Sequence, residues 1–143
     1  MSSKKKDIII FKTDRVGDLL HLSGCVKTIK ENFEDSHITL VCSSYNHQIA
    51  KNYYFIDNFI IIDQYVFIKS LIIYFNTLFI KKYDYLFILD GKNRSCNLSY
   101  FIRSKHKSTL CYLKQKNIFG FKYNITRPNK LLMKIFFINY VIS

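Results

Sequence analysis

The residues best suited to chemistry fall together near the start of the chain. Lys12-Thr13-Asp14-Arg15-Val16 runs into Gly17-Asp18, with Leu19-Leu20 beyond. A carboxylate at the first turn of a helix caps it. Placed there, Asp18 can also act as general base, accepting a proton from an attacking hydroxyl. Free backbone amides and the positive dipole end of a helix keep such a carboxyl ionised. They weaken the base, but a concerted displacement can still use it. Gly17 lets the backbone turn sharply and a ligand approach closely. The helix start itself suits an anionic or hydroxyl-rich ligand. Lys12 and Arg15 fit a phosphate or carboxylate, the arginine in bidentate fashion; a solvated rim is their alternative reading. One glycine matches neither the Gly-x-Gly-x-x-Gly pattern nor a P-loop, which argues against a Rossmann-type dehydrogenase and a P-loop NTPase.

Other candidates are weaker. Asp90-Gly91-Lys92-Asn93-Arg94-Ser95 reads as a second loop, with Arg94 a further anion contact or part of a cap and turn. His21 lies one turn into the first helix and reads as a partly buried structural residue, with contact to an acceptor as the alternative. His37, His47 and His106 show no metal-ligand spacing and read as surface residues. Cys25, Cys42, Cys96 and Cys111 are too dispersed for a metal pair. Cys42 and Cys111 lie in apolar runs as small buried hydrophobes, and free thiols suit a reducing compartment. The cluster Arg103, Lys105, His106 and Lys107 reads as a solvated turn.

These loops need a scaffold. Asp7–Phe11 is a short apolar run rich in β-branched residues, as in a strand buried on both faces. Leu19, Leu22, Val26, Ile29 and Phe33 then follow helical spacing, predicting a helix over 18–32. The unit repeats: a strand over His37–Cys42 and a short helix capped by Ser44. Then come a strand over Phe59–Asp63, a helix over 66–79, and a strand over Tyr85–Asp90. A helix over 95–102 and a strand over Ser108–Tyr112 complete the series. Asn124–Asn129 reads as a loop and 130–141 as a last helix. This order predicts one α/β domain, a Rossmann-like parallel sheet with helices on both faces, with its core over about 7–121. Ligands of such sheets bind beyond the carboxyl ends of the strands. The loops 13–17, 43–44, 63–64 and 90–94 are therefore expected on one rim.

The 143 residues suit a single domain, and the hydrophobic share of 49% fills its core. The formal charge of +12 favours anionic partners. Nucleic acid, anionic lipid and phosphorylated sugar all qualify; a solvated surface in a lysine-rich proteome is the plain alternative. No RNP-like or helix-turn-helix pattern is visible, so nucleic acid is not expected. The basic start at Lys4-Lys5-Lys6 precedes too short an apolar run for a signal peptide. The longest apolar stretch, 59–80, contains Asp63, Gln64 and Lys69; a strand followed by a helix accounts for it better than a membrane span.

The string from Ile10 to Leu20 resembles the opening of glycosyltransferase family 9, the ADP-heptose:lipopolysaccharide heptosyltransferases. The likeness continues through Ile29–Phe33, Ile38–Val41, Ile49–Asn52 with Ile56-Asp57 and Ile60, and Lys82–Gly91 with Arg94-Ser95. The resemblance implies the N-terminal, acceptor-side half of a two-domain GT-B fold. It also implies inverting transfer of a sugar from a nucleotide-activated donor to a lipopolysaccharide or related glycan. It makes Asp18 the catalytic base, and the loop Lys12, Thr13, Asp14, Arg15, Val16 and Gly17, with Arg94, the acceptor contacts. Many members carry a proline in the second turn of the first helix, where this chain has Leu22-Ser23-Gly24-Cys25.

Members are about twice as long, in keeping with two such domains. The expectation is a chain without the donor-binding domain and without transferase activity alone. No cofactor is expected, and an ADP-heptose-like donor only with a C-terminal domain. The implied partners are an anionic glycan or lipid-linked sugar acceptor, a separately encoded donor-binding half, and the surface of an anionic membrane. The implied location is the cytoplasm, peripheral to the inner face of the inner membrane. A non-catalytic binding module for an anionic ligand, or an inactive truncated fragment, are the alternatives.

Overall fold

A computed structural model describes residues 5–14, 16–63, 65–111 and 123–126. Among these residues there are six strands: β1 (Lys6–Phe11), β2 (Ser36–Cys42), β3 (Asn58–Ile61), β4 (Tyr83–Ile88), β5 (Ser104–Cys111) and β6 (Tyr123–Thr126). Four α-helices join them: α1 (Val16–Asn32), α2 (Ser44–Ala50), α3 (Phe67–Ile73) and α4 (Asn93–Phe101). They form one sheet in the order β3-β2-β1-β4-β5-β6, and every neighbouring pair is parallel. The chain therefore builds outward from β1 to β3, then returns to lay β4 on the other side of β1. That reversal makes the carboxyl ends of β1 and β4 the topological switch point, where open α/β sheets bind ligands.

Side chains of β1 alternate between two cores, as strand geometry requires. Ile8 and Ile10 pack with Leu19, Leu22, Val26 and Ile29 of α1 and with Ile38 and Leu40. Ile9 and Phe11 pack on the other face with Val41, Ile60, Leu78, Leu86 and Ile88, under α3 and α4. Both faces are covered, which explains why the strands read as continuous apolar runs.

Several expectations are corrected. Asn124–Thr126, the first part of the stretch read as a loop, belongs with Tyr123 to β6, which pairs with β5 from Ser108 to Cys111. β5 begins at Ser104, four residues before the expected start, so Lys105, His106 and Lys107 lie on a strand and not in a turn. Lys105 pairs with Asp84 at 2.6 Å. Lys107 donates to the Ser99 carbonyl at 2.9 Å, satisfying the carboxyl end of α4. The helix expected over 66–79 is shorter. α3 stops at Ile73, and a π-helical turn, Asn76–Ile80, follows, closed by the Lys81 amide on the Asn76 carbonyl at 3.0 Å. Tyr83 holds that turn, donating its hydroxyl to the Thr77 carbonyl at 2.8 Å. The expected helix at 130–141 lies outside the described residues.

Candidate functional site

The loop after β1 is built from its neighbours. The Lys12 amide continues the sheet, donating to the Val41 carbonyl at 2.9 Å. Next to it, the side chain of Thr13 meets Asp90 of the loop after β4. Asp90 Oδ2 accepts from the Thr13 hydroxyl at 2.6 Å, the Thr13 amide at 3.3 Å and the Ser95 hydroxyl at 2.5 Å. Its Oδ1 accepts from the Lys92 amide at 3.0 Å, an Asx turn that precedes α4. Gly91 follows with φ 61°, a conformation that favours glycine. Lys92 Nζ closes the pair of loops on the Thr13 carbonyl at 2.8 Å.

A second clamp comes from α2. Ser43, one residue before the expected cap, accepts from the Asn46 amide at 3.3 Å. Asn46 is buried and turns its side-chain amide on the loop, donating to the carbonyls of Asp14 at 2.7 Å and Lys12 at 3.3 Å. The Ser44 amide donates to Asp63 at 2.9 Å, which joins the loops after β2 and β3. Asn46 was not singled out from sequence. Only its spacing from Ser43 in a Ser-x-x-Asn start hints at its position.

Lys12 departs from the solvated-rim reading. It is only 6% exposed, and its Nζ reaches Asp14 at 2.7 Å and the Leu89 carbonyl at 3.1 Å. A buried ammonium needs such partners, because desolvation is otherwise costly. This pair stiffens the loop from inside. Gly17 is also not what was expected. It lies in the first turn of α1, has no positive φ, and a Cβ there would meet nothing within 4 Å. The turn does not need a glycine; the space beside Gly17 is open. α1 begins at Val16, two residues before the expected start, so Asp18 is the third residue of the helix, inside its first turn and not at the cap position before it. Arg15 lies outside the described residues, and Val16 begins α1.

A cleft of about 710 Å³ opens along this edge. Thr13, Ser43, Ser44, Asp63, Lys92, Arg94 and Ser95 line it, so all four loops expected on one rim contribute. Phe11, Val41, Phe67 and Leu98 form its apolar floor and side. Arg94 lies over the Phe67 ring at 5.4 Å, which holds the guanidinium at the cleft without neutralising it. Lys12 and Asp14 are not among the residues that line it. The arrangement offers two cations, hydroxyls and an apolar surface, a combination suited to an anionic, hydroxyl-rich ligand.

The remaining candidates are placed elsewhere. His37 is half-buried near the amino ends of the strands, 3.6 Å from Asp7; burial first, then Lys81, lowers its pKa. The His47 ring packs edge-on against Phe59, and His106 stacks on Tyr85. Cys42 is buried as expected, and burial, with Asp63 adding, pushes its thiol up to about 12. Among the described residues no group of His, Cys, Asp and Glu can hold a metal ion. No helix among them is long and apolar enough to cross a membrane.

No protein-family model matches the chain, and no curated protein matches its sequence. Solved structures do match its fold. A glycosyl transferase family 9 protein from Veillonella parvula is 20% identical with TM-score 0.69, over 89% of this chain and 37% of that one. The E. coli heptosyltransferase WaaC, solved with ADP, is 15% identical with TM-score 0.73, over 94% and 45%. E. coli ADP-heptose lps heptosyltransferase II is 16% identical with TM-score 0.59, over 73% and 30%. The chain thus spans less than half the length of each. The likeness read from the order of strands and loops is a likeness of fold: a Rossmann-like parallel sheet equivalent to the N-terminal half of a GT-B glycosyltransferase.

Proposed function

We propose that this chain is the acceptor-side half of a family 9, heptosyltransferase-like glycosyltransferase. The observation that carries the proposal is the coincidence of two features. The fold matches that of heptosyltransferases across 94% of the chain, and the first turn of α1, which carries Gly17-Asp18, follows β1 at the switch point, the same strand end at which the cleft reaches Phe11 and Thr13. In this reading the Asp18 carboxylate takes the proton of an acceptor hydroxyl as its oxygen attacks the anomeric carbon of the donor. The bond to the nucleotide diphosphate breaks, the diphosphate leaves with the electron pair, and configuration inverts. Thr13, Arg15, Val16, Gly17 and Arg94 contact the acceptor. Lys12 and Asp14 act on the loop itself, their ion pair holding it in shape.

The acceptor is an anionic glycan or lipid-linked sugar, such as lipopolysaccharide core, met at the inner face of a membrane. The donor is a nucleotide-activated sugar of the ADP-heptose type, held by a second unit that is fused to this one or separately encoded. WaaC was solved with ADP and with ADP-2-deoxy-2-fluoro heptose, which supports that donor class. The test is titration of the chain with a phosphorylated lipopolysaccharide-core oligosaccharide, followed by NMR. Shifts at Thr13, Gly17 and Arg94, weakened in Arg94→Ala, are the expected result. Binding that leaves these amides unmoved counts against the proposal.

A further inference from the structure

Charge is divided across the cleft. The loop after β4 brings Lys92 and Arg94 to it, and the loop after β3 brings Asp63 and Tyr65. The order β3-β2-β1-β4 sets those two strand ends three spacings apart, about 14 Å. The side chains that line the cleft from both ends shorten this to the scale of one sugar unit. Arg94 lies over the Phe67 ring, yet among the described residues no ion pair joins it or Lys92 to Asp63. The two ends therefore stay separately charged.

Asp63 is set apart from other carboxylates of the chain. Asp7, Asp57 and Asp84 each hold a lysine ammonium, at 2.6, 2.7 and 2.6 Å. Cations are in excess, 22 lysines and arginines against 10 acidic residues, yet none of the described ones is set on Asp63. Its Oδ1 accepts from the Ser44 amide at 2.9 Å, which ties two loops together. A neutral acceptor would serve for that tie, so the charge and the second oxygen are left for a ligand. Two residues on, Tyr65 lines the same end of the cleft and is 97% exposed. A tyrosine face attracts an ammonium and packs against the apolar face of a sugar ring.

We infer that the cleft takes a phosphorylated sugar bearing a free amino group, its phosphate on Arg94 and Lys92 and its ammonium on Asp63 beside Tyr65. A wholly anionic sugar would set like charge against Asp63, whereas an ammonium there gains a charge-assisted hydrogen bond. The inference rests on the transferase reading for the use of such a unit as acceptor, and deepens it by naming the class: an amino sugar phosphate.

The test is NMR titration of the full chain at about pH 6.5, where an amine of this kind is charged. The probes are glucosamine 6-phosphate, N-acetylglucosamine 6-phosphate and glucose 6-phosphate. Glucosamine 6-phosphate should bind about 10-fold more tightly than the other two, the worth of one hydrogen bond to a charged group. It should shift the amides of Ser44, Asp63 and Arg94. Asp63→Asn keeps an oxygen for the Ser44 amide, so the fold is retained, and it should bring the three affinities within about twofold of one another. Tyr65→Ala, at an exposed ring, should weaken glucosamine 6-phosphate about threefold. Equal affinity of the parent for glucosamine 6-phosphate and glucose 6-phosphate overturns the inference alone, and so does a preference that survives in Asp63→Asn. If none of the three binds while the phosphorylated core oligosaccharide does, the inference again falls alone. If neither the three nor the oligosaccharide binds, the acceptor reading falls with it.

Discussion

Asp90 is predicted to be the residue on which the geometry of the cleft most depends. Four donors converge on its carboxylate, two from Thr13, one from Ser95 and one from Lys92. Asp90 and Ser95 are buried, whereas Thr13 is partly open to water. Asp90→Ala leaves the Ser95 hydroxyl without its acceptor away from solvent and releases the Thr13 amide. At about 1–3 kcal/mol for each unsatisfied buried donor, the loss is about 3 kcal/mol. Asp90→Asn keeps one oxygen for the three-donor position but sets an amide N–H₂ against the Lys92 amide. It should cost less, about 1–2 kcal/mol. Thr13→Val should cost about 1 kcal/mol in the parent and almost nothing in Asp90→Ala. Urea unfolding of the parent, the three single variants and the Asp90→Ala/Thr13→Val double variant measures both the losses and the coupling. A loss below about 0.5 kcal/mol in Asp90→Ala, or additive effects of the two substitutions, would refute the view that this carboxylate ties the two loops together.

Two further outcomes separate structural from functional roles. Gly17→Ala adds a Cβ in open space in a helical turn, so thermal melts should show stability unchanged or raised by about 0.5 kcal/mol, while acceptor affinity falls; a loss of stability would show that the glycine is structural. Burial pushes the Asp57 carboxyl up, but the Ile38 amide and Lys30, at 2.7 Å each, outweigh it and hold the pKa below its ordinary value. A depressed carboxyl contributes stability above its unfolded pKa and loses it as pH falls through the folded one. The stability gap between the parent and Asp57→Asn should therefore be full near neutrality and close in acid, below the ordinary carboxylate range; a gap that does not change with pH would contradict this assignment.

The inner strands were legible because burial on both faces writes continuous apolar runs, as in Ile8–Phe11 and Leu86–Ile88. The start of β5 was not, because Ser104–Lys107 pairs only with β4 and its polar side chains serve Asp84 and the end of α4. β6 is four residues of an edge strand, too short to show a period beside Asn124 and Pro128. The π-helical turn depends on how Tyr83 and Leu78 pack, which local spacing does not encode. Within the site, the rim was predicted from strand order alone, and Thr13, Ser43, Asp63 and Arg94 do meet there. What spacing could not tell was which residues build the loop and which are presented by it. Asn46 acts across 34 positions, and Lys12 turns inward to Asp14. Asp57 and Asp84, inside the segments that carry the resemblance, pin strand starts: Asp57 accepts from the Ile38 amide and Asp84 from the Asp7 amide. That part of the likeness therefore tracks the fold, and the case for chemistry rests on the first loop.

The central claim, that Asp18 is the base of a sugar transfer, is tested most directly by rate. The chain is joined to the donor-binding half of E. coli WaaC, and transfer from an ADP-heptose donor to lipopolysaccharide core is followed under single turnover. Asp18→Asn keeps the side-chain shape and removes one negative charge from the first turn of α1, so it should shift stability by less than about 1 kcal/mol and lower the rate about 10²–10⁴-fold. An Asp18→Asn protein that transfers at the rate of its parent would contradict the account.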